Sequence, residues 1–197
     1  MKAAVVAAAL LLALAIAGCV GAPNDQSLGT TTENMRSDVL AGSPSAEAGD
    51  TVYVNYVGKL ENGTVFDTSI QSEAQKAGLP PRGSYAPLSF VVGSGQMIKG
   101  FDNAAVGMRQ GDTKTATLQP QDAYGEWDPS EVISFPRSQI NATDLKVGSA
   151  LYSANGAIGT VTAISGQNVT VDFNHPLAGK TLVFTISMMK VDKKATS

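Results

Sequence analysis

Apolar residues in the C-terminal three quarters of this chain recur mostly with the two-residue period of a β-strand, and one segment departs clearly from it. In QMIKGFDNAAVGM, at 96–108, Ile98, Phe101, Ala105 and Met108 fall on one helical face instead. Strand-like runs lie on both sides of this segment: TVYVNYVGKL at 51–60, VFDTS at 65–69, LSFVVG at 88–93, TKTATLQP at 113–120 and TLVFTISMM at 181–189. The pattern predicts an α+β fold, in which a mostly β body packs one short helix against its sheet.

Residues 126–173 separate the last two of these strands and carry turn signals of their own. SALYSANGAIGTVTAISGQNVTVDF divides into short strands at Asn155-Gly156 and at Gly166. PSEVISFPRSQI, just before it, is expected to hold one helical turn. A segment with its own turns between two strands of the main body indicates a small, mostly β inserted subdomain. The excursion at 69–87 is too long for a simple loop, which indicates a function or local structure there.

The N-terminus has the pattern of an export signal. Lys2 precedes an uncharged apolar run, and small residues lead to IAGC at 16–19, which resembles the lipobox of prokaryotic lipoproteins. Cys19, the single cysteine, would then carry the lipid. A plain secretory signal or an uncleaved N-terminal anchor would fit the same run. Residues 20–48 are rich in Gly, Ser, Thr, Pro and Asn without an apolar period, which predicts a flexible linker.

Charge and composition exclude several function classes. The net charge of −3 argues against nucleic acid, which requires a basic surface. His175 is the only histidine, and no Ser/His/Asp or Cys/His arrangement accompanies it. We therefore expect neither a metal nor a cofactor. The run NHPLAGK at 174–180 is typical of a turn where the chain re-enters the main sheet.

Four segments, in order, resemble the FKBP-type peptidyl-prolyl cis/trans isomerases: VNYVGKLENGTVFDTS, FVVGSGQMIKGFDNAAVGM, DAYGEWD and NHPLAGKTLVF. The insertion after AYG resembles the insert-in-flap subfamily, which includes SlyD proteins and archaeal FKBPs. The resemblance implies a twisted antiparallel sheet wrapped on a short helix, with the insert in the flap. The resemblance covers about residues 49–192 and implies a discontinuous isomerase domain at 49–125 and 174–192 with an insert-in-flap chaperone domain at 126–173. With the N-terminal pattern, the chain then divides further into a signal at 1–19, a linker at 20–48 and a tail at 193–197.

The resemblance carries the site residues over by position. The implied catalytic residues are Tyr56, Asp67, Ile98 (through its backbone N–H), Phe101 and Tyr124. The implied substrate-binding residues are Phe66, Leu88, Phe90, Met97 and Phe184. From the residues alone, Phe90, Phe101 and Phe184 are more typical of core packing, and Asp67 before Thr68-Ser69 fits an ordinary turn. The resemblance favours a pocket role least for Phe90, for which core packing stays the alternative. The best-known members of the family have tryptophan where this chain has Phe101.

The implied function is isomerisation of Xaa-Pro bonds in unfolded or partly folded exported polypeptides, with substrate binding by the insert. The resemblance also implies binding of macrolides of the FK506 type, and Phe101 in place of tryptophan predicts an altered affinity for them. We expect a monomer on the extracytoplasmic face of the membrane, held by the lipid on Cys19, or a secreted protein. The alternative is an extracytoplasmic holdase or peptide-binding lipoprotein with little isomerase activity.

Overall fold

The computed structural model describes residues 42–141, 144–153 and 156–195. The elements follow one another as β1 (Thr51–Leu60), β2 (Val65–Thr68), α1 (Gln71–Lys76), β3 (Leu88–Val91), α2 (Lys99–Ala105), β4 (Thr113–Leu118), β5 (Val132–Pro136), β6 (Ala150–Tyr152), β7 (Ile158–Ser165), β8 (Asn168–Asp172) and β9 (Leu182–Asp192). Short 3₁₀ turns lie at Pro120–Asp122, Pro129–Glu131 and Arg137–Gln139. The predicted signal segment, with Cys19, lies outside the described residues.

Five strands form the main sheet in the order β2-β1-β9-β4, with β3 also paired to β1. Every pair in this sheet is antiparallel. β1 is long enough to pair with β3 along its first half and with β2 along its second half, while β9 runs along its other edge. The two ends of the domain sequence therefore meet as neighbouring strands at the centre of the sheet.

The alternating pattern of the sequence is confirmed on both central strands. Val52 and Val54 of β1 are buried, as are alternate residues of β9 from Leu182 to Met188. Helix α2 covers this face with Phe101 and Ala105. The predicted α+β fold, with a sheet wrapped on one main helix, is confirmed.

Two contacts with β4 position α2, and a glycine follows its C-terminal end. A Cβ on Gly100 would lie 2.5 Å from Leu118 Cδ2, so the glycine permits a close approach to β4. Lys114 Nζ donates to the Ala104 carbonyl oxygen at 3.1 Å, near the C-terminal end of the helix. Gly107 follows at φ +79°, the left-handed conformation that commonly ends a helix.

The insert forms a second antiparallel sheet in the order β5-β8-β7-β6. Its small core consists of Val161, Val169 and Val171, with larger apolar side chains packed around it. The segment expected to hold one helical turn contains two, the 3₁₀ turns at Pro129–Glu131 and Arg137–Gln139. Strand β5, which the sequence pattern does not indicate, lies between them and pairs residue by residue with β8. All four strands lie within the predicted range 126–173.

The long excursion at 69–87 carries local structure, as its length indicated. It contains helix α1, whose Ala74 is 1% exposed. The remainder, with Pro80-Pro81, returns across the surface to β3.

The predicted linker and the predicted tail both contribute to the fold at their inner ends. Ala46 is completely buried and exchanges hydrogen bonds with Gly107 and Met108, although the sequence predicts a linker to residue 48. Lys193, in the predicted tail, donates to Asp50 Oδ2 at 2.7 Å, and the Lys194 N–H donates to Asp50 Oδ1 at 2.9 Å. Long-range contacts of this kind leave no local sequence pattern. No helix among the described residues is both long and apolar enough to cross a membrane.

Asp50 generates a prediction about stability. Its carboxylate is 2% exposed, and hydrogen bonds from Lys193 and from the Lys194 backbone lower its pKa from 3.8 to about 2. A depressed pKa stabilises the fold above the unfolded-state value, and this contribution is lost as the pH falls from about 4 to about 2. We expect Asp50→Asn to lower the free energy of unfolding by on the order of 1–2 kcal/mol at pH 7.

Denaturant unfolding at pH 7 and at pH 2 measures this effect. The difference between wild type and Asp50→Asn should shrink at the lower pH. Glu73→Gln is the control, because Glu73 pairs with Lys76 on the exposed surface of α1 and should contribute little. A wild-type advantage over Asp50→Asn that is the same at both pH values would contradict the assignment.

Candidate functional site

A cavity of about 380 Å³ opens between the main sheet and the segment that leads into α2. Residues from six separate parts of the main body line it: Tyr56, Phe66, Asp67, Leu88, Gln96, Met97, Ile98, Phe101, Tyr124 and Phe184. The cavity therefore exists only when the two halves of the discontinuous domain are folded together.

Aromatic rings form the deep part of the cavity. Phe101 meets Phe184 edge to face with ring centroids 5.2 Å apart, and it meets Tyr56 edge to face at 5.7 Å. Phe66 meets Phe184 in the same manner at 5.6 Å. Edge-to-face packing is the favoured arrangement for such rings and fixes their orientation. The result is a rigid apolar floor and wall sized for a small ring or aliphatic side chain.

The Tyr56 hydroxyl and the Asp67 carboxylate form a polar pair beside these rings, and Asp67 is held by several partners. The Tyr56 hydroxyl donates to Asp67 Oδ2 at 2.6 Å. Asp67 Oδ1 accepts from the Thr68 N–H at 2.8 Å and is ion-paired with Arg82. The Asp67 carboxylate is thereby held beside the phenol, and the short hydrogen bond orients the Tyr56 hydroxyl at the cavity edge.

The loop between β3 and α2 supplies the opposite side. Both Asp102 carboxylate oxygens accept from the Gly93 N–H, at 2.9 and 3.0 Å, which ties this loop to the helix. Gln96 Oε1 accepts from the Val91 N–H at 3.0 Å. The Ile98 carbonyl oxygen accepts from Phe101 and Asp102, whereas its own N–H has no acceptor within the described part of the chain. A hydrogen-bond donor is therefore left for a ligand at the cavity edge.

Tyr124 completes the rim, and the lone histidine supports it. The His175 ring stacks on the Tyr124 ring with centroids 3.9 Å apart and an interplanar angle of 6°. His175 Nδ1 accepts from the Leu177 N–H at 3.1 Å, which requires the neutral ring. Desolvation lowers the pKa of His175 and favours the same neutral form. Among the described residues, no group of His, Cys, Asp and Glu side chains is arranged to hold a metal.

The structure brings nine of the ten predicted pocket residues to this one cavity. Phe90 is the exception, because it is 3% exposed and packs behind Phe101, with ring centroids 5.8 Å apart. The sequence reasoning did not select Gln96, Gly58 or Arg82. Gly58 leaves space for two rings, and Arg82 depends on the path of the 69–87 excursion, so neither carries a local signal.

The insert has an open apolar groove separate from this cavity. Its volume is about 600 Å³, and its lining includes Phe135, Ile140, Leu151, Tyr152 and Phe173. A smaller space of about 270 Å³ adjoins it, shares Phe135 and Phe173, and adds Ile133. Tyr152 is 76% exposed. Much of the apolar surface of this small sheet is thus accessible to other molecules.

A family model and several individual proteins similar to this chain all point to the same family. The family described as "FKBP-type peptidyl-prolyl cis-trans isomerase" matches residues 42–189. A short-type peptidyl-prolyl cis-trans isomerase of Methanocaldococcus jannaschii is 37% identical over 145 residues, covering 73% of this chain and 92% of that protein. A probable FKBP-type 16 kDa peptidyl-prolyl cis-trans isomerase of Pseudomonas fluorescens is 35% identical over 144 residues, covering 71% of this chain and 87% of that protein. The SlyD isomerase of Helicobacter pylori is 27% identical, covering 66% and 72%.

Gly58 generates a prediction about the aromatic wall. A Cβ at this position would lie 2.8 Å from Phe66 Cζ and 2.9 Å from Phe184 Cε1, closer than real Cβ atoms come. We expect Gly58→Ala to displace both rings and to destabilise the domain by about 1–3 kcal/mol through overpacking. Gly83→Ala is the control, since nothing lies within 4 Å of its Cβ. Denaturant unfolding that finds the two variants equally stable would contradict this packing.

Proposed function

Because the chain belongs to the FKBP-type peptidyl-prolyl cis-trans isomerase family, we propose that the aromatic cavity of the main body is where an Xaa-Pro bond rotates. The observation that carries the proposal is the edge-to-face cluster of Phe66, Phe101 and Phe184, which lines the same cavity as the hydrogen-bonded pair Tyr56 and Asp67. A proline ring is apolar and compact, which suits the floor. The peptide bond beside it would then lie near the polar edge.

Rotation about an Xaa-Pro bond breaks no covalent bond, so the cavity needs no general base and no metal. The barrier of about 18–20 kcal/mol arises from amide resonance. The twisted amide has less charge separation than the planar one, and a dry apolar site therefore destabilises it less. Stronger binding of the twisted state than of either planar isomer lowers the barrier.

Each residue has a proposed part in this differential binding. Phe66, Phe101 and Phe184 would hold the proline ring, with Leu88 and Met97 extending the apolar surface. The Ile98 N–H would donate to a substrate carbonyl, and the Tyr56 hydroxyl, oriented by Asp67, would contact the rotating amide. Tyr124 would close the rim. Phe90 would act behind Phe101 as support for the floor rather than as a contact to substrate.

The insert would retain unfolded polypeptide beside the cavity. The groove of the insert is apolar and open. The insert is connected to the main body at a narrow neck. There Gly179 donates to the Gly125 carbonyl at 2.8 Å, and Asn174 exchanges two hydrogen bonds with the Asp128 backbone. A tethered binding surface raises the effective concentration of substrate at the catalytic cavity. A holdase with little isomerase activity would use the same groove and is the alternative function.

The cellular setting is also proposed. An apolar segment after Lys2 and the IAGC motif support export and lipid attachment at Cys19, on the extracytoplasmic face of the membrane. We propose a monomer that acts on proline-containing exported polypeptides. A phenylalanine at the floor would still accept macrolides of the FK506 type, with an affinity different from that of a tryptophan-containing relative. Mass spectrometry of the mature N-terminus tests the lipid directly.

The catalytic proposal predicts the effect of removing one hydroxyl. Tyr56→Phe should reduce kcat/KM on a short Ala-Pro peptide by about tenfold, because it removes the hydroxyl that is proposed to contact the rotating amide. Tyr53→Phe is the matched control, since Tyr53 lies on the same strand but outside the cavity and packs near Lys190. A wild-type rate no faster than spontaneous exchange would refute the isomerase function. Equal rates for Tyr56→Phe and Tyr53→Phe would refute the role of Tyr56.

The proposed binding role of the insert predicts a separation of two activities. The double variant Ile133→Ser/Tyr152→Ser should bind unfolded protein several-fold more weakly and suppress its aggregation less, because both side chains line the grooves. Its turnover of a short peptide should remain at the wild-type rate. Val147→Ser is the control, since Val147 is 64% exposed in the same subdomain but lies outside both grooves. Parallel loss of both activities in the double variant would argue against separate binding by the insert.

A further inference from the structure

Tyr124 lies at the rim of the aromatic cavity without the support of a helix or a strand. It follows the 3₁₀ turn at Pro120–Asp122 and precedes Gly125, whose φ is +83°. The residue is 38% exposed, and its hydroxyl has no hydrogen-bond partner among the described residues. The Tyr56 hydroxyl, in contrast, is held by Asp67. The orientation of the Tyr124 phenol must therefore come from contacts of its ring.

Within the described part of the chain, this phenol has one aromatic partner, which is His175. The two rings are parallel to within 6°, and their centroids lie 3.9 Å apart. Tyr124 precedes the insert and His175 follows it, so the stack joins the two strands of chain that form the neck. An exposed tyrosine without a partner samples several staggered rotamers, whereas a parallel stack retains the rotamer that places the rings face to face.

His175 is itself held by the return segment, residues 174–180. Its Nδ1 accepts from the Leu177 N–H at 3.1 Å, and its carbonyl oxygen accepts from the Ala178 N–H at 2.8 Å. The preceding residue, Asn174, exchanges hydrogen bonds with the Asp128 backbone across the neck. The imidazole is thus a fixed flat ring that does not line the cavity and supports a residue that does.

We propose that His175 is a positioning residue of the isomerase, whose ring holds the Tyr124 phenol at the rim in the orientation that closes over a bound proline. The inference rests on the proposed function, in which Tyr124 closes the rim. A phenol that is already fixed when the peptide arrives loses less rotamer freedom on binding than a free one. Histidine suits this place because one side chain supplies both the flat ring for the stack and the acceptor nitrogen for the turn.

Two substitutions separate the ring from the acceptor. His175→Phe keeps a flat ring for the stack and removes the acceptor of the Leu177 N–H. His175→Asn removes the ring and keeps an acceptor, since an asparagine oxygen commonly accepts from the backbone N–H two residues on. His175 is exposed, so neither change opens the core. Lys180→Gln is the control, because Lys180 is exposed on the same return segment and does not line the cavity.

Activity should follow the ring. On an Ala-Pro peptide, His175→Asn should lower kcat/KM by about threefold to tenfold, the range that an aromatic pair provides. His175→Phe and Lys180→Gln should remain close to wild type, and denaturant unfolding verifies that each variant is folded. A loss in His175→Phe as large as in His175→Asn, or no loss in either, would overturn the inference.

A double-mutant cycle with Tyr124→Leu tests the route of the effect. If His175 acts through the phenol, His175→Asn should lower kcat/KM in the wild-type background and have little effect in the Tyr124→Leu background. Equal losses in the two backgrounds would mean that His175 acts on another part of the site, which would overturn the inference.

The stack can also be observed without an activity measurement. His175 is the only histidine of the chain, so the carbon-bound protons of its ring give one unambiguous set of nuclear magnetic resonance signals. These signals should be shifted by the ring current of the phenol in wild type and should move towards their unstacked positions in Tyr124→Leu. Signals that stay in place in Tyr124→Leu would overturn the inference, because the rings would then not be stacked in solution.

The inference and the proposed function can fail independently. A wild-type protein that turns over the Ala-Pro peptide while His175→Asn and His175→Phe are equally active overturns the positioning role alone. If wild type does not exceed the spontaneous rate, the proposed isomerase function fails. Calorimetric binding of the same peptide then decides the positioning role: weaker binding by His175→Asn than by His175→Phe supports it, and equal binding by the two variants overturns it.

Discussion

The edge-to-face contact between Phe101 and Phe184, with ring centroids 5.2 Å apart, is the interaction on which the rest of the structure depends. Phe101 comes from the one main helix and Phe184 from the last strand, so the contact joins the sheet to the element that covers it. Several features of the fold serve this contact. Gly58, on β1, leaves room for the rings of Phe66 and Phe184. Gly100 lets the helix approach β4, and Phe90 fills the space behind Phe101. The same packing forms the domain core and the floor of the cavity.

The discontinuous arrangement places an independent sheet beside this cavity without altering its floor. The insert has its own core of three valines, and within the described part of the chain its strands pair with one another and not with the main sheet. Its link to the main body is a neck where Asp128 and Asn174 exchange hydrogen bonds and where Trp127 Nε1 donates to Asp172 Oδ2 at 3.1 Å. His175 lies just beyond this neck and stacks on Tyr124. A change in the neck can therefore reach the rim of the cavity while the aromatic floor stays in place.

Local sequence patterns predict the parts of this molecule that depend on periodicity. Alternation on β1 and β9 identifies their buried faces, and the helical spacing of Ile98, Phe101 and Ala105 identifies α2. Resemblance to a family, rather than periodicity, distinguishes a cavity lined by Phe101 and Phe184 from an ordinary core. Even so, it does not separate Phe90, which packs behind the floor, from its neighbours that line the cavity.

Contacts between residues far apart in sequence are harder to predict. The pairing of Arg82 with Asp67 depends on how a largely irregular segment returns to the sheet. The burial of Ala46 and the hydrogen bonds from Lys193 and Lys194 to Asp50 join the ends of the predicted linker and the predicted tail to the domain. In each case the residue type permits the contact, while the fold of the whole domain decides whether it forms.

The central claim is that the aromatic cavity binds the proline and accelerates rotation of the bond before it. Exchange spectroscopy by nuclear magnetic resonance, on an isotope-labelled protein with an Ala-Pro peptide, measures both parts in one sample. The account predicts cis-trans exchange well above the spontaneous rate, together with peptide-induced shifts at the Ile98 amide and at the Phe101 and Phe184 rings. Exchange at the spontaneous rate, or shifts confined to the insert, would contradict it.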